Sequence, residues 1–340
     1  MTLKLALLSY WHVHAHDYER EALANPATEI AVVWDDDPER GATQAARIGA
    51  RFVPELHDVL NDPSIDGVIV TTATAEHHRV LTAAAQAGKQ IFTEKVIAAT
   101  ETEARDVLDA VEQAGVVMMV CLPRLSNGYT QAIRSLIERG ELGEISYFRM
   151  RVGHNGAVRT AEQPEGWLPP QFFSLQEAQG GALIDLGAHP LYLTRYLMGL
   201  PETVSARYGY MTGRPVEDHA VVTMGYARGA IAVAEVSFVD SPGTFEIEVH
   251  GERGQVRIAQ PEMELHIRRP RLDRRERADW EAVAEVPADL PSPFQQWVAR
   301  VQRGEPDREH LALALDLTRL AEASGRSAAE GRTVRLDIGS

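Results

Sequence analysis

Over the first 120 residues, short apolar runs alternate with stretches whose apolar positions recur at helical spacing. Leu5 to Leu8, Glu29 to Trp34, Gly67 to Thr71, Gln90 to Phe92 and Val116 to Val120 read as buried strands. Residues 14–24, 38–48, 76–87 and 101–113 read as amphipathic helices, and Gly49, Gly88 and Gly115 stand where a left-handed C-terminal cap belongs. Strands this apolar, each followed by a helix, predict a parallel sheet covered on both faces, because parallel neighbours need a crossover connection. The first part of the chain is therefore expected to be a doubly wound α/β fold, whose ligand lies at the carboxyl ends of its strands.

After Arg124 the pattern changes. Residues 127–139 predict a helix ended by Gly140, and alternating segments at 144–152, 203–212, 217–226, 229–239, 244–250 and 254–258 predict a large, mostly antiparallel open sheet. Turns such as Ala227-Arg228-Gly229 and Gly251-Glu252-Arg253-Gly254 join these strands. Further helices are expected at 182–198, 292–303 and 307–326, and the charge-rich stretch 268–284 as a solvated loop with an edge strand. Two domains follow: residues 1–122 as an α/β nucleotide-binding unit, and residues 123–340 as an α+β unit for substrate binding and oligomerisation. A wide sheet covered on one side only would leave apolar area exposed, so its open face is expected to join two or four copies.

Charge narrows the partners. The chain carries a net charge of -15 and a pI of about 5.3, which argues against nucleic acid and against an anionic membrane surface. A small molecule is the expected ligand. Cys121 is the only cysteine, so no internal disulfide forms; with a first segment that does not read as a signal peptide, the cytoplasm is the expected location.

The strand ends hold the candidate chemistry. The first turn, Ser9-Tyr10-Trp11-His12-Val13-His14-Ala15-His16, has no glycine; Ser9, Trp11 and His14 fall where the three glycines of a dinucleotide turn would stand. Ser9, Trp11 and His12 are the cofactor contacts expected here. The alternating histidines leave two other readings open: packing at a helix start, or a metal site that would need His77, His78 or His189 in addition. No metal ligand is assigned. Asp35 ends the second strand, where a carboxylate accepts the ribose hydroxyls of NAD; Arg40 leaves NADP open, and Asp36 and Asp37 before Pro38 also read as a helix cap. Thr72 and His77 follow the third strand as further cofactor candidates.

Glu94 and Lys95 end the next strand. An ammonium group there can polarise a substrate oxygen, and Glu94 can orient it or hold the cofactor. In the second half, Gly180-Gly181 lets a loop approach closely and start a helix, and Asp185 and His189 lie four apart on one helical face. A carboxylate beside an imidazole fits a base that deprotonates a hydroxyl group.

These residues resemble the glucose-fructose oxidoreductase, inositol dehydrogenase and rhizopine catabolism (Gfo/Idh/MocA) family. The likeness runs through Asp35-x-Asp37-Pro38-Glu39-Arg40, Ala87-Gly88-Lys89-x-x-x-x-Glu94-Lys95, Arg124, Gly140-x-x-Gly143 and Gly180-Gly181-x-x-x-Asp185-x-Gly187-x-His189. The resemblance implies a Rossmann domain with a mixed-sheet partner, NAD or NADP as cofactor, and a sugar, cyclitol or related polyol as substrate. It also implies that Lys95, Asp185 and His189 match the catalytic positions, with Arg124, His154, Asn155, Trp167 and Tyr192 as candidates for substrate contact. Three positions depart from the family pattern: the first turn lacks its glycines, Val96 replaces proline, and Tyr192 stands at a common aspartate. Two other functions share this pattern: a lyase or glycosidase that oxidises its substrate transiently and retains NAD, and a non-catalytic binding or regulatory homologue.

Overall fold

The computed structural model describes residues 2–270 and 279–337. The chain divides into two compact units: Met1–Leu122 with Gln176–Gln179 and Pro291–Thr318, and Pro123–Leu175 with Gly180–Leu290 and Arg319–Ser340. Among the described residues, no helix is long and apolar enough to cross a membrane.

The first unit holds β1 (Leu3–Leu8), α1 (Ala15–Ala24), β2 (Thr28–Trp34), α2 (Pro38–Ile48), β3 (Arg51–Phe52), α3 (Leu56–Leu60), β4 (Gly67–Val70), α4 (Thr74–Gln86), β5 (Gln90–Thr93), α5 (Glu101–Ala114) and β6 (Met118–Val120). The strands form one parallel sheet in the order β3-β2-β1-β4-β5-β6. The order reverses direction at β1, so the carboxyl ends of β1 and β4 mark the switch point where a doubly wound sheet binds ligand. Strands and helices fall close to the predicted positions. β3 and α3 escaped notice, since two-residue and five-residue elements are too short to show a period. Local signals explain the helix boundaries: the Asp37 carboxylate accepts from the Glu39 and Arg40 amides at the start of α2, and Gly49, at φ 73°, ends it. Lys89 of the Ala-Gly-Lys run is structural, since its buried ammonium donates to the carbonyls of Asp62 and Ile65, each at 2.8 Å.

The second unit contains α6 (Gly128–Glu138), β7 (Ile145–Gly153), α8 (Ala188–Met198) and β8 (Thr203–Gly209); the short α7 (Leu175–Ala178) falls at a unit boundary. Then come β9 (His219–Gly225), β10 (Ile231–Ser237), β11 (Thr244–Gly251), β12 (Gly254–Ala259), β13 (His266–Arg268), β14 (Glu281–Ala282) and, after two helices, β15 (Val334–Arg335). These strands make a nine-stranded sheet, β14-β13-β12-β11-β7-β10-β9-β8-β15, antiparallel except where β7 meets β10. β14 is the edge strand expected in the charged stretch; residues 271–278 of that stretch lie outside the described residues.

Along β7, Phe148, Met150 and Val152 are buried while Tyr147, Arg149 and Arg151 face the other way. That second face is mixed: Tyr147, Val221, Ile231 and Val233 share it with a cluster of ion pairs. Arg149 pairs with Glu235 at 2.8 Å, with Glu246 at 2.8 Å and with Glu248 at 3.4 Å, and Arg151 pairs with Asp240 at 3.0 Å.

α9 (Pro293–Arg303) corrects one expectation. Its place in the sequence puts it with the second half, yet it folds into the first unit, as does the start of α10 (Arg308–Glu330). Phe294 and Trp297 are buried against Phe92, at 5.3 and 5.8 Å between ring centroids. The Trp297 indole donates to the Val117 carbonyl at 3.3 Å. Periodicity identifies a helix and its apolar face, but not which sheet will cover it.

A second correction concerns the Gly180-Gly181 segment. α8 begins at Ala188, so Asp185 stands on a turn before the helix and does not share a helical face with His189. Buried Glu217 shapes that turn: its carboxylate accepts from the Gly181 amide at 3.0 Å and the Leu183 amide at 2.9 Å, and its carbonyl accepts from Ala182 at 2.9 Å. Burial raises the Glu217 pKa, and the amide donors of Leu183 and Gly181 act against that rise. Glycine is required because a Cβ at 181 would lie 2.1 Å from the Glu217 carbonyl oxygen. Gly181→Ala is therefore expected to destabilise the chain by about 1–3 kcal/mol, read as a lower urea midpoint. An unchanged midpoint would show that the turn yields freely.

Candidate functional site

The turn after β1 adopts the geometry of a glycine turn without the glycine. Ser9 is buried with φ 77°, in the left-handed region that favours glycine. Its neighbours hold it there. Its amide donates to the Trp34 carbonyl at 2.6 Å, its hydroxyl to Asp36 at 2.8 Å, and its carbonyl accepts from the Thr71 hydroxyl at 2.5 Å. Trp11 is buried and its indole donates to Glu177 at 2.6 Å. At the start of α1 the His14 side chain makes no capping hydrogen bond, and the His14 amide donates to His12 Nδ1 at 3.2 Å.

Asp35 lies beneath this turn. Its carboxylate accepts from the Tyr10 amide at 2.8 Å, the Asp37 amide at 3.0 Å and two Arg40 nitrogens at 2.9 and 2.5 Å. Burial raises the Asp35 pKa; Arg40 and the two amides pull it back. Asp36, whose side chain is 44% exposed and 3.1 Å from Arg40, and the capping Asp37 are the carboxylates open to solvent in this turn.

At the end of β4, beside β5 in the sheet, Thr72 and His77 are both buried. The His77 Nδ1 donates to the Val96 carbonyl at 2.6 Å, while the Thr72 hydroxyl and His77 Nε2 have no hydrogen-bond partner among the described residues. Such orphaned polar atoms are costly unless a ligand meets them. Burial holds the His77 pKa below the ordinary histidine value, so the ring is neutral near pH 7.

Glu94 forms the centre of the β5 end. It is buried, accepts the Lys95 amide at 2.9 Å on one oxygen, and meets His14 Nδ1 at 2.7 Å, His12 Nδ1 at 3.6 Å and the Tyr18 hydroxyl on the other. Burial works to raise its pKa, but the histidines and Lys95 hold the carboxyl well below the ordinary carboxylate range. Lys95 is itself buried, and its peptide bond to Val96 is cis. The three histidines of the first turn therefore divide: His12 and His14 turn to Glu94, while His16 lies 4.0 Å from Glu19 with its side chain mostly exposed. His78 pairs with Asp106 at 3.5 Å.

In the second unit, buried His189 meets the Tyr192 hydroxyl through Nδ1 at 3.1 Å, and the same hydroxyl accepts the Arg124 amide at 3.0 Å. Tyr192 has no accessible surface, so it positions His189 and the Arg124 backbone rather than presenting a face to substrate. The Arg124 guanidinium lies over the Phe245 ring at 4.5 Å and donates to the Tyr129 hydroxyl at 3.2 Å. His154 stacks on Phe238 at 5.0 Å, beside Trp167, whose indole donates to Asn155 at 2.9 Å. Burial lowers the His154 pKa, and the charge of half-buried Asp185 acts to raise it. Asp185 thus sits in the field of His154, a neighbour that sequence spacing did not suggest. Glu217, Tyr18 and Tyr129 were also missed; only Tyr18, one helical turn after His14, had a spacing that could have revealed it.

His77 gives the first unit a pH dependence with a definite sign. An unfolded histidine takes up its proton near pH 6.5, about where folded His77 resists it. Its contribution to stability is therefore complete above about pH 6.5 and is lost as pH falls toward the lower folded value. Urea midpoints measured between about pH 8 and 5.5 should decline on the acid side, and less steeply in His77→Gln.

Comparisons with known proteins agree with this architecture. Residues 9–122 match an oxidoreductase family with an NAD-binding Rossmann fold, and residues 130–257 match the GFO/IDH/MocA C-terminal domain. The chain is 28% identical over 265 residues to scyllo-inositol 2-dehydrogenase (NAD(+)) of Bacillus subtilis (strain 168), covering 75% of this chain and 72% of that enzyme. It is 27% identical over 327 residues to D-apiose dehydrogenase of Rhizobium rhizogenes (strain K84 / ATCC BAA-868), covering 91% and 90%. The fold matches that of levoglucosan dehydrogenase in complex with NADH and levoglucosan, with a TM-score of 0.83, 21% identity, and coverage of 99% of this chain and 100% of that one. With both of its halves matched and the strand-end residues in place, the chain belongs to the Gfo/Idh/MocA family of NAD-binding oxidoreductases.

Proposed function

We propose that this protein transfers hydride between a nicotinamide cofactor and a CH–OH carbon of a sugar, cyclitol or related polyol. In this reading residues 1–122 bind the dinucleotide and residues 123–340 the substrate. The relatives support the substrate class, since one acts on scyllo-inositol and another on D-apiose. One observation in the structure carries the reading: a buried lysine at the end of β5 adjoins a strand end, that of β4, with two buried polar atoms lacking partners.

The residues present fit a dinucleotide. The glycine-like turn at Ser9 and the orphaned Thr72 hydroxyl and His77 Nε2 offer contacts to pyrophosphate and ribose. Trp11, His12 and Glu94 would complete the holding set, with Asp35 fixing the adenosine-side turn through Tyr10 and Arg40. Because Arg40 is already held by Asp35 and Asp36, NAD is the favoured cofactor, while an Arg40 released from that pairing would accommodate the 2'-phosphate of NADP. Bound there, the nicotinamide would supply the hydride acceptor or donor.

The chain's own groups would manage charge and protons. Lys95 would stabilise the developing alkoxide, and His189 would take or return the hydroxyl proton. With Nδ1 engaged by Tyr192, Nε2 is the nitrogen that would exchange it. Tyr192 would orient that imidazole, Asp185 would add its negative charge beside His154, and Arg124, His154, Asn155 and Trp167 would select hydroxyl pattern. The chain's acidity and single buried thiol suit the cytoplasm. Assembly into two or four copies through the sheet belongs to the same proposal, and such a contact would be rich in ion pairs.

The test is reduction of NAD+ or NADP+ with a panel of cyclitols and sugars, read at the nicotinamide absorbance. Lys95→Ala is expected to lower kcat by about 100-fold or more while NAD+ affinity changes far less. Full activity in that variant would overturn the assigned mechanism.

A further inference from the structure

We propose that His12, His14 and Glu94 form a binding site for a divalent transition ion of the zinc class, at the strand ends of the first unit. One ligand atom from each of the three lies within 4.8 Å of the others. The donor set is two imidazoles and one carboxylate, which suits zinc and its neighbours rather than magnesium or calcium, whose ligands are oxygens. Three protein ligands would leave at least one position for water or an anionic ligand, as open zinc sites do.

The separations favour a shared ion. Two ligands on one tetrahedral zinc stand about 3.3 Å apart, given bonds of about 2.0–2.2 Å. The His12–Glu94 separation is 3.6 Å, and the His14–Glu94 separation of 2.7 Å is a hydrogen bond that would open by roughly half an ångström as the ion replaces its proton. His14 has room to adjust, since its side chain is 41% exposed.

The outer contacts are those of a built site. The Tyr18 hydroxyl and the Lys95 amide each donate to one Glu94 oxygen, and Tyr18 is wedged edge-on against Phe92 at 5.0 Å. The His12 amide donates to the Thr71 carbonyl at 3.1 Å, while the 3.2 Å contact from the His14 amide to His12 Nδ1 would give way as that nitrogen takes the ion. Such second contacts fix the orientation of ligating side chains and typically change metal affinity by about 10–100-fold when removed. His16, two residues further, serves as an internal control because it faces away toward Glu19. The proposal shares His12 and Glu94 with the cofactor reading but does not rest on it.

The experiment is calorimetric titration of Zn2+ into the EDTA-treated full chain, without nucleotide, with elemental analysis of the dialysed product. One equivalent is expected, with affinity at least about 10-fold weaker in His12→Ala and His14→Ala and unchanged in His16→Ala. No saturable uptake by the wild type, or binding that survives both His12→Ala and His14→Ala, overturns the proposal. If a variant fails to fold by circular dichroism, the wild type loaded with Co2+ decides. An intense visible absorption of four- or five-coordinate cobalt supports the site, and only the weak bands of six-coordinate ion overturn it. A parallel NAD+ titration in EDTA keeps the two readings apart: NAD+ without zinc sinks only the metal site, and zinc without NAD+ sinks only the cofactor assignment.

Discussion

A carboxylate buried at the end of a central strand is the constraint from which the first unit's chemistry follows. Glu94 is almost fully removed from solvent and yet held ionised, and an uncompensated buried charge would cost several kcal/mol. Its compensation comes from three directions: the imidazoles of the first turn, the Tyr18 hydroxyl one helical turn later, and the backbone amide of Lys95. Because the turn after β1 must deliver two imidazoles to that carboxylate, the turn is shaped by the glutamate as much as by any ligand. This gives a physical account of why it can dispense with glycines: a tight polar network around Ser9 holds the left-handed backbone that glycine would otherwise supply.

The second unit uses the same device. Glu217, also buried, is satisfied by the amides of Gly181 and Leu183, and in accepting them it sets the turn that carries Asp185 and leads into α8. In both halves a buried carboxylate reads out main-chain donors beside the residues assigned to chemistry. Backbone donors cannot change rotamer, so the aim of Lys95 and of the Asp185 turn is set by the fold rather than by side-chain packing alone.

Much of this was legible in sequence because the governing signals are local. Continuous apolar runs identified the parallel strands, Gly49 and Gly115 marked helix ends, and strand-end position singled out Glu94 and Lys95. What stayed hidden depends on long-range geometry. That Asp35 is saturated requires Tyr10 and Arg40 to converge on it, that Tyr192 is sealed requires Arg124 and His189 to close over its hydroxyl, and that α9 covers the first sheet requires knowing where the chain returns. The helical start at Ala188 was misplaced because Glu217, some thirty residues on, competes for the amides that a helix would use. The mixed sheet face is a different case. Arg149, Arg151, Glu235, Glu246 and Glu248 occupy alternate positions in the strands beside Tyr147, Ile231 and Val233, so the alternation shows a mixed face but not which carboxylates meet which guanidinium.

The two-residue β15 has an importance out of proportion to its length. By pairing Val334 with Val204 and Arg335 with Thr203, it occupies the outer backbone at the start of β8, and the Ser327 hydroxyl takes the Ala206 amide further along; unguarded, these groups would be open to another strand. A fusion partner attached close behind Arg335, or a truncation before Val334, would uncover that template for strand addition by other molecules. Poor solubility of such engineered versions would then report on an unguarded sheet margin.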